Sequence, residues 1–183
     1  AEKSFAKMAK GLKEVLQFLE LDEAEFSLAI DEKNPEEIYL DGHYRLSFLA
    51  SMNKGPLRPM ANILSGGEMS RLMLALKSIL STDDETMIFD EIDAGISGRV
   101  AHQVGKQIHH LSKSRQILAI SHLPQVVAFS DEHFFLEKKD GRTSVKKLNQ
   151  KEHEEVLATM MSAELNKASL QTAKNMIFRA KGE

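Results

Sequence analysis

Several features are missing from this sequence of 183 residues, and each absence narrows what the chain can be. It contains no cysteine, which excludes disulfide bonds and is compatible with a cytoplasmic location. No apolar run approaches the ~20 residues that a membrane-spanning helix needs, and no signal peptide is visible, so we expect no membrane association. The net charge of −3 argues against a protein that coats nucleic acid by bulk electrostatics. Because the chain begins at Ala1 and not at Met, we expect it to be a fragment.

A phosphate loop of the form Gly-x-x-x-x-Gly-Lys-Ser/Thr is also missing. The nearest candidate runs from Gly98 to Lys106, but six residues separate its glycines and Gln107 follows the lysine. This segment is also predicted to lie inside a helix. The chain alone therefore cannot be a complete phosphate-loop nucleotidase.

What is present fits an ordinary globular protein with a core, because 42% of the residues are hydrophobic and 28% are charged. The helical spacing of Phe5, Met8, Leu12 and later apolar residues predicts a helix from Ser4 to Leu21. Alternating apolar residues predict short strands between Glu25 and Ala50, with turns at Asn34-Pro35 and Asp41-Gly42. Residues 53–59 are predicted to form a loop.

The central stretch of the chain is Leu-Ser-Gly-Gly-Glu-Met-Ser-Arg, at residues 64–71. Ser65 and Glu68 have the spacing of a capping box at the start of a helix, which is the structural explanation of this pattern. Gly66 and Gly67 are unfavourable in the first turn of a helix, which points to a functional demand. Since glycine lets an anion approach the free N–H groups at a helix start, we expect Ser65, Gly66 and Gly67 to contact phosphate. The helix should run to about Leu80, with Leu72, Leu76 and Leu80 on one face and Arg71 and Lys77 facing water.

Two acidic residues follow a short apolar run at residues 86–89. The run is typical of a buried parallel strand, whose carboxyl end is where open α/β sheets place their ligands. In phosphoryl transfer, one acid at such a strand end holds Mg²⁺ and its neighbour can deprotonate the attacking water. We therefore predict Asp90 as the metal ligand and Glu91 as the general base, although an isolated Asp-Glu pair is more often only a solvated strand end.

A second buried parallel strand is predicted from Arg115 to Ser121, which would place His122 at the same sheet edge as Asp90 and Glu91. There the imidazole could donate to a γ-phosphate or to the attacking water, whereas a lone loop histidine is more often merely solvated. A helix is predicted from Gly98 to Leu111. Its His102, His109 and His110 are interpreted as a polar face, because they are too far apart or point to different faces for one metal ion.

The remainder of the chain is predicted to hold a short helix at residues 125–129, a hairpin turning at Asp140-Gly141, and two helices at residues 152–160 and 163–181. The hairpin gathers five cations, whose commoner use is to protect an edge strand from aggregation. Contact with DNA phosphates is the alternative. These cations are Lys138, Lys139, Arg142, Lys146 and Lys147.

These motifs together carry a resemblance to the ABC-type ATPases. Residues 64–68 resemble the signature, residues 87–91 the Walker B strand, residues 93–97 the D-loop, and His122 the switch histidine. The run Asp-Glu-Ile-Asp-Ala-Gly at residues 90–95 resembles the SMC-like branch, whereas transporters usually have proline after the glutamate. The longer runs at residues 89–101 and 120–126 are similar to the RecN family of bacterial DNA repair proteins.

The resemblance implies an α/β fold, namely the C-terminal half of an ABC-type ATPase head that lacks the Walker A half. Residues 1–22 would be a helix, possibly the end of a coiled coil, and residues 23–183 the C-terminal ATPase lobe. The cofactors would be ATP and Mg²⁺, with Ser65, Gly66, Gly67, Glu68 and Asp93 contacting ATP. The chain alone is expected to be inactive.

The partners implied by the resemblance are the N-terminal Walker A half of the same head, a second head in a homodimer, and DNA through the full assembly. The implied role is ATP hydrolysis in DNA double-strand-break repair and recombination, in the cytoplasm and associated with the nucleoid. Two alternatives remain open at this point: a fragment of a transporter-type ATPase, and a non-catalytic module for head dimerisation.

Overall fold

A computed structural model describes residues 2–21, 23–34, 42–51, 54–60, 66–80, 86–90, 92–162 and 164–182. The chain forms two compact units, Ala1–Ser81 and Thr82–Glu183. Neither contains a described helix that is both long enough and apolar enough to cross a membrane.

The first unit combines two helices with an antiparallel sheet of three strands in the order β1-β2-β3. Its elements in chain order are α1 (Glu2–Phe18), β1 (Glu25–Glu32), β2 (Tyr44–Ser51), β3 (Arg58–Pro59) and α2 (Gly66–Leu80). The predicted strands at residues 25–50 are confirmed, and their apolar residues face one another in the pairs Phe26↔Ala50, Leu28↔Phe48 and Ile30↔Leu46. The predicted turns lie partly outside the described residues.

Two predictions for this unit are wrong in part. The segment predicted as a loop at residues 53–59 includes β3, which pairs with β2 because the sheet edge still offers free backbone groups. In α2, Leu80 is 62% exposed, whereas Leu74 and Ala75 are fully buried. The buried stripe follows Leu72 and Ala75, and Leu74 lies off that stripe, so the helix is covered on a second side.

Helix α1 ends in a Schellman motif, in which the chain turns back through a left-handed residue. The Leu21 N–H donates to the Leu16 carbonyl at 2.8 Å, and the Glu20 N–H donates to the Gln17 carbonyl at 3.1 Å. Glu20 has φ 58°, the left-handed conformation that this motif requires. The motif fixes the point at which the helix stops, immediately after the buried Leu16 and Leu19.

The described residues of the second unit form a two-stranded parallel sheet, a two-stranded hairpin and four helices. Its elements are β4 (Met87–Phe89), α3 (Gly98–Ser112), β5 (Ile117–Ala119), α4 (Pro124–Val127), β6 (Phe134–Lys139), β7 (Arg142–Lys147), α5 (Gln150–Met161) and α6 (Lys167–Gly182). The predicted helix at residues 98–111, the parallel pairing of β4 with β5 and the hairpin are confirmed. Asp140 and Gly141 have φ 51° and 74°, as a type I′ turn needs.

The predicted burial of β4 and β5 is only half right. Met87 and Phe89 are buried, but Ile88 is 65% exposed and, on β5, Leu118 is 48% exposed. The face that carries Met87 and Phe89 is covered at β4 but only partly at β5, where Ile117 is half-buried and Ala119 exposed. The other face, with Ile88 and Leu118, is open to solvent.

An apolar cluster joins α4, α5 and α6 at the carboxyl end of the chain. Its buried members are Val127, Ala128, Phe129, Leu157, Ala158, Ala173, Ile177 and Ala180. Helix α5 begins with a complete capping box, in which the Asn149 side chain accepts from the Glu152 N–H and the Glu152 carboxylate accepts from the Asn149 N–H. Through Val127, Ala128 and Phe129, this cluster packs the carboxyl-terminal end of α4 against α5 and α6.

Candidate functional site

The candidate site of the second unit lies at the carboxyl ends of β4 and β5. The two strands run parallel, with Met87 opposite Ile117 and Phe89 opposite Ala119. The Ile120 N–H donates to the Phe89 carbonyl at 2.9 Å, so the pairing continues to the last residue before the loops. Asp90 follows β4 and His122 follows β5 by three residues, so the backbone places both at one edge of the sheet. Glu91, the predicted general base, lies outside the described residues.

Asp93 occupies the turn after β4, and its carboxylate points inward. The residue is only 2% exposed, and the donors converge on Oδ2. The backbone N–H groups of His122 and Leu123 donate to this oxygen at 2.8 and 3.2 Å, and the Ser121 hydroxyl donates to it as well. The His122 Nδ1 atom lies 3.3 Å from the same oxygen. Burying a carboxylate is unfavourable unless donors satisfy it, and residues 121–123 supply them.

The His122 ring remains accessible even though its Nδ1 edge meets Asp93. Its side chain is 77% exposed, compared with 1% for the side chain of Asp93. His122 can therefore be contacted from solution, whereas the Asp93 carboxylate cannot. Asp90 is exposed as well, so this edge presents a carboxylate and an imidazole ring to solvent.

Ser121 is a residue of this cluster that sequence reasoning did not single out. Its hydroxyl donates to Asp93 and accepts from the Leu123 N–H at 3.1 Å. The signal that could have identified it is its place directly before His122, at the end of the predicted strand.

The signature residues lie in the first unit, at the start of α2. Gly66 is the first residue of this helix, followed by Gly67, and Glu68 is the acidic residue of the first turn. Acidic side chains are favourable at a helix start because of the helix dipole. Ser65, the predicted cap and phosphate contact, lies outside the described residues.

Arg71, which was predicted to face water, instead joins α2 to the end of α1. Its guanidinium donates to the Leu19 carbonyl at 3.2 Å and to the Gly67 carbonyl at 3.4 Å. Burial lowers the pKa of Arg71 from its ordinary value, and the carboxylates of Glu68 and Glu20 act in the opposite direction. A cation is favourable at the carboxyl end of a helix, so Arg71 stabilises the α1 terminus while it contacts the first turn of the signature helix.

Two of the histidines predicted to form a polar face on α3 pack against an aromatic ring instead. His102 and His109 lie against Phe129, with ring centroids 5.1 and 6.0 Å apart. Among the described residues, no group of three or more His, Cys, Asp or Glu side chains could by itself hold a metal ion. A metal ion at the sheet edge would therefore need ligands in addition to those that the described residues bring together, with Asp90 as one exposed carboxylate there.

Comparison with known proteins places these features in a family context. No protein-family model matches the chain. Among curated proteins, it is 37% identical over 180 residues to the DNA repair protein RecN of Halalkalibacterium halodurans, a match that covers 93% of this chain and 32% of the relative. The chain thus spans about a third of the length of the curated relatives it matches.

Solved structures with a similar fold are SMC heads. The Smc head domain of Pyrococcus yayanosii, with a coiled coil and joint, superposes with a TM-score of 0.65 at 20% identity over 88% of this chain and 30% of that one. An SMC ATPase studied for ATP-driven dimerisation and DNA-stimulated activation gives a TM-score of 0.59 at 19% identity, and 96% of that chain is covered. The chain thus has the mixed α/β fold of part of an SMC head domain, and its sequence is similar to about a third of the DNA repair protein RecN.

Proposed function

We propose that this chain is the C-terminal half of the ATP-binding and ATP-hydrolysing head of a RecN-like protein that acts in DNA double-strand-break repair and recombination. The observation that carries the proposal is the common sheet edge, where Asp90, Asp93 and His122 follow two paired parallel strands. Sequence similarity to RecN over most of this chain supports the biological context.

The proposed roles in ATP hydrolysis belong to the residues that follow β4 and β5. Asp90 would hold Mg²⁺, Glu91 would act as general base, and His122 would contact the attacking water or the terminal phosphate. An exposed carboxylate following a strand fits Mg²⁺, which prefers oxygen ligands and usually binds through one or two carboxylates together with substrate phosphates. When bound there, Mg²⁺ would offset the negative charge of the phosphates.

The signature residues would serve a different nucleotide. Ser65, Gly66, Gly67 and Glu68 would meet ATP held by a second head, so that ATP drives homodimerisation. Asp93, which was also predicted to contact ATP, is only 2% exposed and its carboxylate faces residues 121–123, so any part it takes in the site would be indirect. The SMC relative described for ATP-driven dimerisation supports this arrangement by fold. DNA would be engaged by the full assembly, in the cytoplasm and at the nucleoid.

The open face of the β4–β5 sheet supports a partner that completes the head. Parallel sheets are almost always covered on both faces, yet Ile88, Leu118 and Ile120 are 65%, 48% and 59% exposed. Two parallel strands alone also leave backbone groups free for further strands. The proposed partner is the N-terminal half of the same head, which would bring the Walker A loop that this sequence lacks. Without it, the chain is expected to bind ATP poorly and to be inactive.

The hairpin cations do not add a separate argument for DNA contact. Lys146 and Lys147 are already paired with Glu152 and Glu132. These pairs lie at the base of the hairpin, where they fix its lysines against neighbouring carboxylates. The two pairs account for Lys146 and Lys147 only, and contact with DNA stays an alternative for the exposed Lys138, Lys139 and Arg142.

The experiment that tests the proposed function is the substitution Glu91→Gln in the full-length protein. We expect ATP binding to persist while turnover falls by about 10²–10⁴-fold, the usual contribution of a general base. Glu137→Gln, on the exposed hairpin strand β6, is the matched control and should leave both quantities unchanged. Unchanged turnover in Glu91→Gln would refute the assignment of the base.

A further inference from the structure

The contact between Asp93 and His122 has a consequence for the protonation of the histidine ring. A carboxylate is an acceptor only, and the Asp93 Oδ2 atom lies 3.3 Å from His122 Nδ1. A neutral imidazole carries its proton on one nitrogen and a lone pair on the other. A lone pair on Nδ1 would face the carboxylate oxygen and be repelled by it, whereas an N–H at Nδ1 would be attracted.

We infer that Asp93 is a positioning residue that holds neutral His122 in the tautomer with the proton on Nδ1, so that Nε2 is a hydrogen-bond acceptor. The inference deepens the proposed function and rests on it for its relevance to ATP hydrolysis. The partners of the two ring nitrogens decide which of them carries the proton. Here the partner of Nδ1 is the buried Asp93 carboxylate, which is an acceptor.

The backbone supports the same arrangement. The N–H groups of His122 and Leu123 both donate to Asp93, and the Ser121 hydroxyl joins them, so the backbone that bears the ring is fixed beside the carboxylate. Because Asp93 is only 2% exposed, water does not compete freely for these donors. The segment is therefore held at three successive residues by one carboxylate.

The tautomer decides which group His122 can contact. A neutral ring with a free Nε2 lone pair accepts a hydrogen bond from a water molecule, but it cannot donate one to a phosphate oxygen, which is itself an acceptor. Donation to phosphate through Nε2 would require a proton on that nitrogen. The neutral form of His122 thus serves the attacking water.

The test is the ¹⁵N spectrum of the histidine rings in this chain at about pH 8.5, two units above the ordinary pKa of histidine. Long-range ¹H–¹⁵N correlations distinguish the protonated from the unprotonated ring nitrogen, and His122→Gln identifies the resonances. We expect wild-type His122 to be mainly the Nδ1–H form, the opposite of the Nε2–H form that imidazole side chains favour in water. A wild-type ring that is mainly Nε2–H would overturn the inference.

Asp93→Ala should move His122 to the Nε2–H form, while the matched change Asp131→Ala, at an exposed carboxylate, should not. Retention of the Nδ1–H form in a folded Asp93→Ala chain would also overturn the inference. If that variant does not fold, the wild-type spectrum alone decides. Since no nucleotide is involved, a failure of the proposed ATPase function would leave this result unaffected, and the two can be told apart.

Discussion

At the scale of single residues, the half-buried His133 and the buried His153 form a pair between the hairpin and α5. Their Nδ1 atoms are 2.8 Å apart, so one ring donates to the other. Burial lowers the pKa of His133, and it lowers the pKa of His153 to about 4, with positive charge on His133 and Lys181 adding to the effect and Glu154 opposing it. The folded chain therefore binds a proton at His153 less readily than the unfolded chain does.

The stability of the second unit should depend on pH through this pair. Between about pH 6.5 and 4 the unfolded chain binds a proton at His153 that the folded chain does not, so the free energy of unfolding should fall as the pH is lowered across that window. The measurement is the urea midpoint at several pH values, compared between wild type and His153→Leu. The variant should have a shallower dependence, and exposed His110→Gln should match wild type. Parallel curves for wild type and His153→Leu would contradict the prediction.

Sequence reasoning located the residues whose positions depend on strand ends, but it missed contacts between distant parts of the chain. Asp90 and His122 could be placed at one edge because apolar runs predict the two strands and parallel pairing aligns their ends. The burial of Asp93 by residues 121–123 could not be predicted, since it depends on how two loops fold together. The same holds for Arg71, whose partner Leu19 is 52 positions away in the sequence.

At the scale of elements, the contact between α3 and α4 depends on a glycine in the middle of a helix. A Cβ atom added at Gly105 would lie 2.6 Å from the Phe129 ring and 2.9 Å from the Gln125 carbonyl oxygen. The carbonyl belongs to the backbone of α4 and cannot move alone. Because α4 begins two residues after His122, this close approach also fixes the segment that carries the histidine.

Gly105→Ala should destabilise the second unit despite the higher helix propensity of alanine. Overpacking costs about 1–3 kcal/mol, and the propensity gain of about 1 kcal/mol reduces this to a net loss of about 0–2 kcal/mol. Because one of the atoms in the way is a backbone oxygen, we expect the upper end of that range, about 2 kcal/mol, in urea unfolding. Gly11→Ala in α1 is the control, because its added Cβ would make only an ordinary contact with Ile79 at 3.7 Å. That change should be neutral or stabilising. A Gly105→Ala chain as stable as wild type would refute the packing argument.

Elements with local signals were predicted well from the sequence. The hairpin turn at Asp140-Gly141 and the helix at residues 98–112 follow from turn chemistry and helical periodicity. The strand β3 was missed, because a two-residue strand that contains Pro59 has no periodicity and forms only where β2 offers an edge. The buried face of α2 was also misjudged, because tertiary packing on two sides decides which leucines are covered.

At the scale of the whole molecule, the apolar face of the β4–β5 sheet is not covered by any described element of the second unit. Ile88 and Leu118 lie side by side on it, opposite each other in the strand pairing. Sequence reasoning predicted both strands as buried, which is wrong for this face in the chain alone. The exposure of these residues in the chain alone is what the split-head proposal requires.

The most direct measurement is Mg²⁺-dependent ATP hydrolysis by this chain, alone and mixed with a candidate phosphate-loop half. Hydrolysis is expected only in the mixture, and Ile88→Lys should abolish it by placing a charge on the covered face. Phe178→Lys, at an 81% exposed position on α6, is the matched control and should leave the activity of the mixture intact. Hydrolysis by the chain alone, or a mixture in which Ile88→Lys is as active as wild type, would contradict the split-head account.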